Sequence, residues 1–129
     1  MMAQARLEHL NMTVSDPKAT AGWIERVFGW KIRWEGAGME TGHTIHIGED
    51  DSYVALFTYP ERSAKPTDVS YRVRGGLNHW AVVVDNLDAT EERVKAEGFM
   101  PKSHADYEPG RRFYFEDGDG IEVEVVQYD

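Results

Sequence analysis

Apolar and polar positions alternate with period two from Leu7 to Val14, the pattern of a half-buried strand. His9, Asn11 and Thr13 fall on one face of it, and Leu10, Met12 and Val14 on the other. The period then becomes helical. Asp16 is placed to cap a helix that has Pro17 at its first position. Thr20, Ile24, Val27 and Phe28 line one side of that helix, and Gly29 ends it.

Seventy residues on, the same grammar returns. Leu77 to Val84 is again a strand, with His79 and Ala81 opposite Trp80 and Val82. Asp88, with Glu91 three residues later, resembles a capping box in which Asp replaces Ser or Thr. Leu87 and Val94 mark the apolar side of this second helix, and Gly98 stops it. Leu7, His9, Val14, Ala19 and Thr20 recur as Leu77, His79, Val84, Ala89 and Thr90, which a duplicated unit explains.

Three further strands are expected in each half. They are residues 30–34, 44–47 and 53–58 in the first, and 99–103, 112–115 and 121–127 in the second. Gly36, Gly38 and Gly42, the turn from Gly48 to Asp51, and Gly118-Asp119-Gly120 separate them. The polar stretch Pro60 to Gly76 reads as a linker, too short to divide the chain into independent domains. The expected organisation is one α+β domain over residues 1–129, with repeat one at about 6–59, the linker at about 60–76 and repeat two at about 77–128. Each βαβββ unit covers one sheet face with its helix. The other face must curl around something, so two facing units would enclose a cleft.

Composition narrows the function classes. The net charge of −9 and the sparse Arg72, Arg74, Arg111 and Arg112 do not suit a nucleic-acid backbone. An acidic surface suits a cationic ligand, but more often it simply keeps a protein in solution. The absence of cysteine excludes disulfides, thiolate ligands and cysteine nucleophiles. No apolar run approaches the roughly 18 residues of a membrane span, so no membrane partner is expected. Residues 1–6 hold no apolar segment of a secretory signal, and a cytoplasmic protein is expected. No phosphate-binding G-x-x-x-x-G-K-[ST] loop is present.

Taken in order, Leu7 to Pro17, Phe28-Gly29-Trp30, Leu77 to Val82 and Phe113 to Val125 resemble the vicinal oxygen chelate superfamily. That group includes glyoxalase I, the fosfomycin- and bleomycin-resistance proteins and the extradiol dioxygenases. The similarity spans nearly the whole chain and implies the glyoxalase/bleomycin-resistance/dioxygenase fold. Asp117-Gly118-Asp119-Gly120 stands where the family has D-P-D-G, a turn variant that alters no ligand.

The resemblance implies a metal site of His9, His79 and Glu124, drawn from the first strand of each unit and the last strand of the second. Imidazole and carboxylate suit Fe, Mn, Ni or Zn as a divalent ion, and three protein ligands leave positions open for substrate. Strand parity agrees, because each proposed ligand lies opposite an apolar stripe. A fourth ligand position falls at Ala55 or Leu56, neither of which can ligate. That argues against a four-ligand shell like that of glyoxalase I.

By the same resemblance Tyr114 matches an active-site tyrosine of the fosfomycin-resistance proteins, beside its reading as a half-buried strand aromatic. Arg112 shares the face of Tyr114 and is a candidate to hold an anionic or enolate oxygen, beside its reading as surface charge. His43, His46 and His104 are candidate general bases by residue type but match no family position, which leaves them structural or exposed. Trp23, Trp30, Trp34 and Trp80 read as helix–sheet packing, with Trp34 also able to wall the cleft.

The function implied is a metal-dependent enzyme that chelates a small oxygen-bearing substrate and stabilises an oxyanion: a lyase, isomerase, transferase or dioxygenase. The alternative is a metal-free protein of the bleomycin-resistance type that sequesters a ligand. A third reading is a module that kept the fold and lost the chemistry. Fosfomycin inactivation is not favoured, because the family's full set of anion-binding basic residues has no match here. A homodimer is implied, with His9 joining His79 and Glu124 either of its own chain or of a partner.

Overall fold

A computed structural model of the chain describes residues 5–38, 42–59 and 70–129. Contacts gather into two units, Met1–Ala64 and Lys65–Asp129. The first contains β1 (His9–Thr13), α1 (Pro17–Phe28), β2 (Lys31–Ala37), β3 (His43–Gly48) and β4 (Tyr53–Thr58). The second contains a 3-10 turn, η1 (Ser70–Arg72), then β5 (Trp80–Val83), α2 (Leu87–Ala96), β6 (Lys102–Tyr107), β7 (Gly110–Glu116) and β8 (Glu122–Tyr128). Each unit is a four-stranded mixed sheet with one helix, in the order β1-β4-β3-β2 or β5-β8-β7-β6. In both, the first strand runs parallel to the last strand of its unit and the remaining pairs are antiparallel.

The first helix forms where its end signals stand. Asp16 accepts from the backbone N–H groups of Lys18 and Ala19, Pro17 occupies the first turn, and Gly29 closes the helix with φ 75°. Its buried side, with Thr20, Trp23, Ile24 and Val27, packs on β3 and β4. Ile45, Ile47 and Leu56 complete that core. In the second unit Leu87, Thr90 and Val94 of α2 are buried, with Phe113 and Phe115 of β7 and Val123 and Val125 of β8.

Two details differ from the sequence reading. The second helix is capped by Asn86, whose side chain accepts from Ala89 N–H, and not by Asp88. Leu87 is already helical, so Asp88 sits inside the first turn and pairs with Arg111, while Glu91 meets His104. The sixth strand begins at Lys102 and runs to Tyr107, so His104 lies in a strand and not in a loop. A register shift between Lys102 and Ala105, with Ser103 at φ 56°, breaks the alternation by which a strand is recognised. Of the expected linker, residues 60–69 lie outside the described residues, and Ser70–Arg72 form η1.

Candidate metal centre

The turn before β8 places the carboxylates of the second unit. Asp117 accepts from the N–H groups of Asp119 and Ile121, each at 2.9 Å, and Gly120 takes φ 77°. Burial pushes the Asp117 carboxyl above its ordinary range, with those two hydrogen bonds acting against it. From this turn β8 runs with Val123 and Val125 toward the helix side, while Glu122 and Glu124 face the other way.

Register then sets the neighbours of Glu124. Ala81 of β5 pairs with Glu124, and Glu124 pairs with Tyr114 of β7. His79, two residues before Ala81, brings its Nε2 to 3.0 Å from Glu124 Oε1. Arg112, two residues before Tyr114, donates from Nη1 to Glu124 Oε2 at 2.9 Å and from Nη2 to the Gly110 carbonyl at 3.2 Å. Its guanidinium also stands 4.4 Å from the centre of the Tyr107 ring. The Arg112 and Glu124 side chains are only 11% and 10% exposed, so the reading of Arg112 as a surface charge is overturned. Arg111, next to it in the strand, faces the other way and pairs with Asp88 of α2. Tyr114 sets its ring edge-on to the His79 imidazole at 5.5 Å. Burial, then the charge of Glu124, pushes its hydroxyl above the ordinary tyrosine range.

Two neighbours escaped the sequence reading. Tyr71, in η1, stands with its hydroxyl 3.1 Å from His79 Nδ1 and hydrogen-bonded to Glu122 Oε1. The bond to Glu122, helped by burial, pushes Tyr71 up to about 12. Lys102 stands 2.8 Å from Glu116 and 3.7 Å from Glu122 Oε2. The parity of β8 already put Glu122 beside Glu124 on one face. Nothing in the polar linker marked Tyr71.

The first unit answers position by position with different chemistry. Asn11 pairs with Ala55 as Ala81 pairs with Glu124, so the position equivalent to Glu124 is Ala55 and not Leu56. His46 pairs with Ala55 where Tyr114 pairs with Glu124, and Trp34 pairs with His46 where Lys102 pairs with Tyr114. An aromatic row results. His9 stacks on Tyr53 at 4.9 Å, Tyr53 on His46 at 4.5 Å, and His46 tilts against Trp34 at 5.2 Å. Arg33 caps the Tyr53 ring at 4.5 Å. His9 Nδ1 is 2.8 Å from Glu8, a contact that holds the Glu8 carboxyl below its ordinary range. Burial, then the neighbouring His9, lowers His46. Trp23 and Trp80 are buried, as packing residues should be, while Trp34 is half exposed. His43 lies 3.3 Å from Glu35 and His104 2.9 Å from Glu91, both away from Glu124.

Of the expected site residues, His79, Glu124, Arg112 and Tyr114 stand together in the second unit, and His9 belongs to the first. Among the described residues, neither unit gathers three or more His, Asp or Glu side chains in a way that could hold a metal ion. The pair His79–Glu124 nevertheless fits one as two of its donors. Ligand atoms about 2.1 Å from an ion and at right angles around it lie roughly 3.0 Å apart. The observed separation is 3.0 Å, which is also that of a hydrogen bond.

Residues 6–125 match the model of the Glyoxalase/Bleomycin resistance protein/Dioxygenase superfamily. The chain belongs to this superfamily. No curated protein matches it. Among solved structures, a glyoxylase/bleomycin resistance protein/dioxygenase domain from Frankia sp. EAN1pec is 22% identical, with a TM-score of 0.81, over 98% of this chain and 100% of that one. The fosfomycin resistance protein FosX from Mesorhizobium loti is 24% identical, with a TM-score of 0.72, over 97% and 92% of the two chains. FosX from Listeria monocytogenes, solved with Mn(II) and sulfate, is 19% identical, with a TM-score of 0.74, over 99% and 95%. These likenesses show a shared fold: two four-stranded mixed sheets with two helices. Among the described residues, no helix is long and apolar enough to cross a membrane.

Proposed function

We propose that this superfamily member is a divalent-metal-dependent enzyme whose ion is held by His79 and Glu124, with His9 as third ligand. The observation that carries the reading is the 3.0 Å approach of His79 Nε2 to Glu124 Oε1 on a half-buried sheet face. His9 is supported by its equivalence to His79 in the repeat. Mn, Fe, Ni and Zn all suit these donors. The manganese in the Listeria FosX structure makes Mn the first ion to try.

A bound ion would supply a Lewis acid that polarises a substrate oxygen. The chain's own side chains do the rest. Arg112 grips Glu124 Oε2, so that Oε1 stays turned toward His79. Tyr114 remains protonated through the neutral range and can donate its O–H to an oxygen of the substrate that gains charge. Arg112 is committed to Glu124 and Gly110, which makes it a holder of the site first and a substrate contact second. The substrate class is a small oxygen-bearing molecule. The enzyme works as a cytoplasmic homodimer in which both repeats form one domain, a reading supported by the family resemblance and the absence of cysteine.

The aromatic row of the first unit favours the second reading, a metal-free protein that sequesters a flat ligand. Calorimetric titration with manganese and zinc separates the two. The enzyme reading expects saturable binding that is weakened in His9→Ala and lost in His79→Ala. Binding of neither ion, or equal binding by all three proteins, contradicts it.

A further inference from the structure

The hydroxyl of Tyr71 lies between two partners, and it has only one proton to give. Glu122 Oε1, as a carboxylate oxygen, can only accept. Its other oxygen, Oε2, faces Lys102 Nζ at 3.7 Å, which leaves Oε1 to receive the phenol proton. The Tyr71 oxygen must then accept at its second contact, His79 Nδ1, at 3.1 Å. For that the ring must carry hydrogen on Nδ1. The remaining nitrogen, Nε2, is the one that looks at Glu124 Oε1.

We propose that Tyr71 is a positioning residue that fixes His79 in the Nδ1–H tautomer, so that the Nε2 lone pair points at Glu124 Oε1. The proposal deepens the metal reading of this site, because a nitrogen that carries hydrogen cannot bind an ion. In a neutral ring of this tautomer, Nε2 and the carboxylate oxygen face each other lone pair to lone pair at 3.0 Å. That arrangement is unfavourable alone and becomes favourable once a cation joins them. Without Tyr71 the ring is free to move its hydrogen to Nε2 and donate it to Glu124, which closes the place where an ion would bind.

Tyr71 reaches the site from η1, outside the sheet, and the residue is 56% exposed. Removing its hydroxyl therefore leaves the core intact, and Tyr71→Phe should fold. The imidazole is locked on its far side by a linker residue, whereas the sheet positions its Nε2 edge. This is the usual arrangement of a metal-binding histidine, whose second nitrogen is held by an outer partner.

The test is nitrogen NMR of metal-free, 15N-labelled protein at pH about 9, well above the ordinary histidine value. The His79 signals are assigned by their absence in His79→Ala. Ring-nitrogen shifts of the Nδ1–H form are expected in the wild type, with a change to the Nε2–H form in Tyr71→Phe. Glu122→Met removes the acceptor, lets Tyr71 turn its proton toward Nδ1, and should give the same change. An Nε2–H ring in the wild type overturns the proposal, as does an unchanged ring in both variants. Manganese affinity should also fall roughly 10- to 100-fold in Tyr71→Phe, the usual effect of losing such a partner. If the wild type binds no metal, the metal reading fails, and the ring signals still decide the role of Tyr71.

Discussion

Two substitutions at Glu124 separate its part in the fold from its part in metal binding. Glu124→Met keeps the side-chain length and removes both acceptors, leaving Arg112 with the Gly110 carbonyl at 3.2 Å and the Tyr107 ring at 4.4 Å. A hydrogen bond to a charged group contributes about 1.5–3 kcal/mol. With the Arg112 and Glu124 side chains only 11% and 10% exposed and Arg112 deprived of its charged partner, the expected cost is about 2–4 kcal/mol. Glu124→Gln keeps one oxygen for Arg112 and turns an N–H toward His79 Nε2. A neutral acceptor is roughly half as strong, so about 1 kcal/mol is expected. Urea unfolding with and without manganese reads both roles. At about 100 times its Kd an ion adds about 2.7 kcal/mol to the wild type. For a chain of this size that raises Tm by roughly 10 °C. Glu124→Gln should be nearly as stable as the wild type without metal, and should lose most of the gain with it. A Glu124→Met protein within about 1 kcal/mol of the wild type would refute the reasoning about the network. A full manganese gain in Glu124→Gln would refute Glu124 as a ligand.

Other positions give equally concrete expectations. A Cβ on Gly110 would collide with the Gln127 carbonyl and stand 2.8 Å from Tyr128 Cα, both backbone atoms of the paired strand. Gly110→Ala should cost at least about 1–3 kcal/mol in denaturant unfolding and disturb the carbonyl that receives Arg112; a midpoint like the wild type's would show that the strands part easily. Asp117 has its carboxyl raised by burial, so its contribution is present below the ordinary aspartate value and is lost as pH climbs through the raised one. Asp117→Asn keeps the acceptor oxygen, and its stability should not fall with pH across that acidic window as the wild type's does; parallel pH profiles would contradict the assignment. His46 is lowered, so its contribution is present above the ordinary histidine value and fades as pH drops through the lowered one. His46→Phe should flatten that acid limb in thermal melts, and an unchanged limb would place the sensitivity elsewhere.

Much of this architecture is written in local signals. Asp16, Pro17 and Gly29 mark the first helix by chemistry that acts within a few residues, and the structure uses all three. The repeat offset put His9 and His79 at equivalent positions, which the structure places at the start of β1 and just before β5, and parity put Glu124 opposite Val123 and Val125. What stayed hidden depends on longer-range effects. The sixth strand is polar, mostly exposed and broken by the irregularity at Ser103, so the apolar Phe99 drew the expected strand too early. Asn86 and Asp88 are both good caps by type, and the burial of Leu87 between them decides in favour of Asn86. Arg112 was readable as to facing but not as to partner, because cross-strand register sets Glu124 diagonally across from it, opposite Tyr114. Tyr71 joins the site through a fold of the linker that no periodicity encodes.

Metal content decides most directly whether His79 and Glu124 hold an ion. Protein purified without chelator, then loaded with manganese and freed of excess, is measured by elemental analysis beside a His79→Ala variant treated alike. The wild type is expected to retain roughly one divalent ion per chain, as three protein donors of this kind should, and the variant close to none. A folded wild type that retains no manganese, iron, nickel or zinc would contradict the metal centre and turn attention to the aromatic row of the first unit.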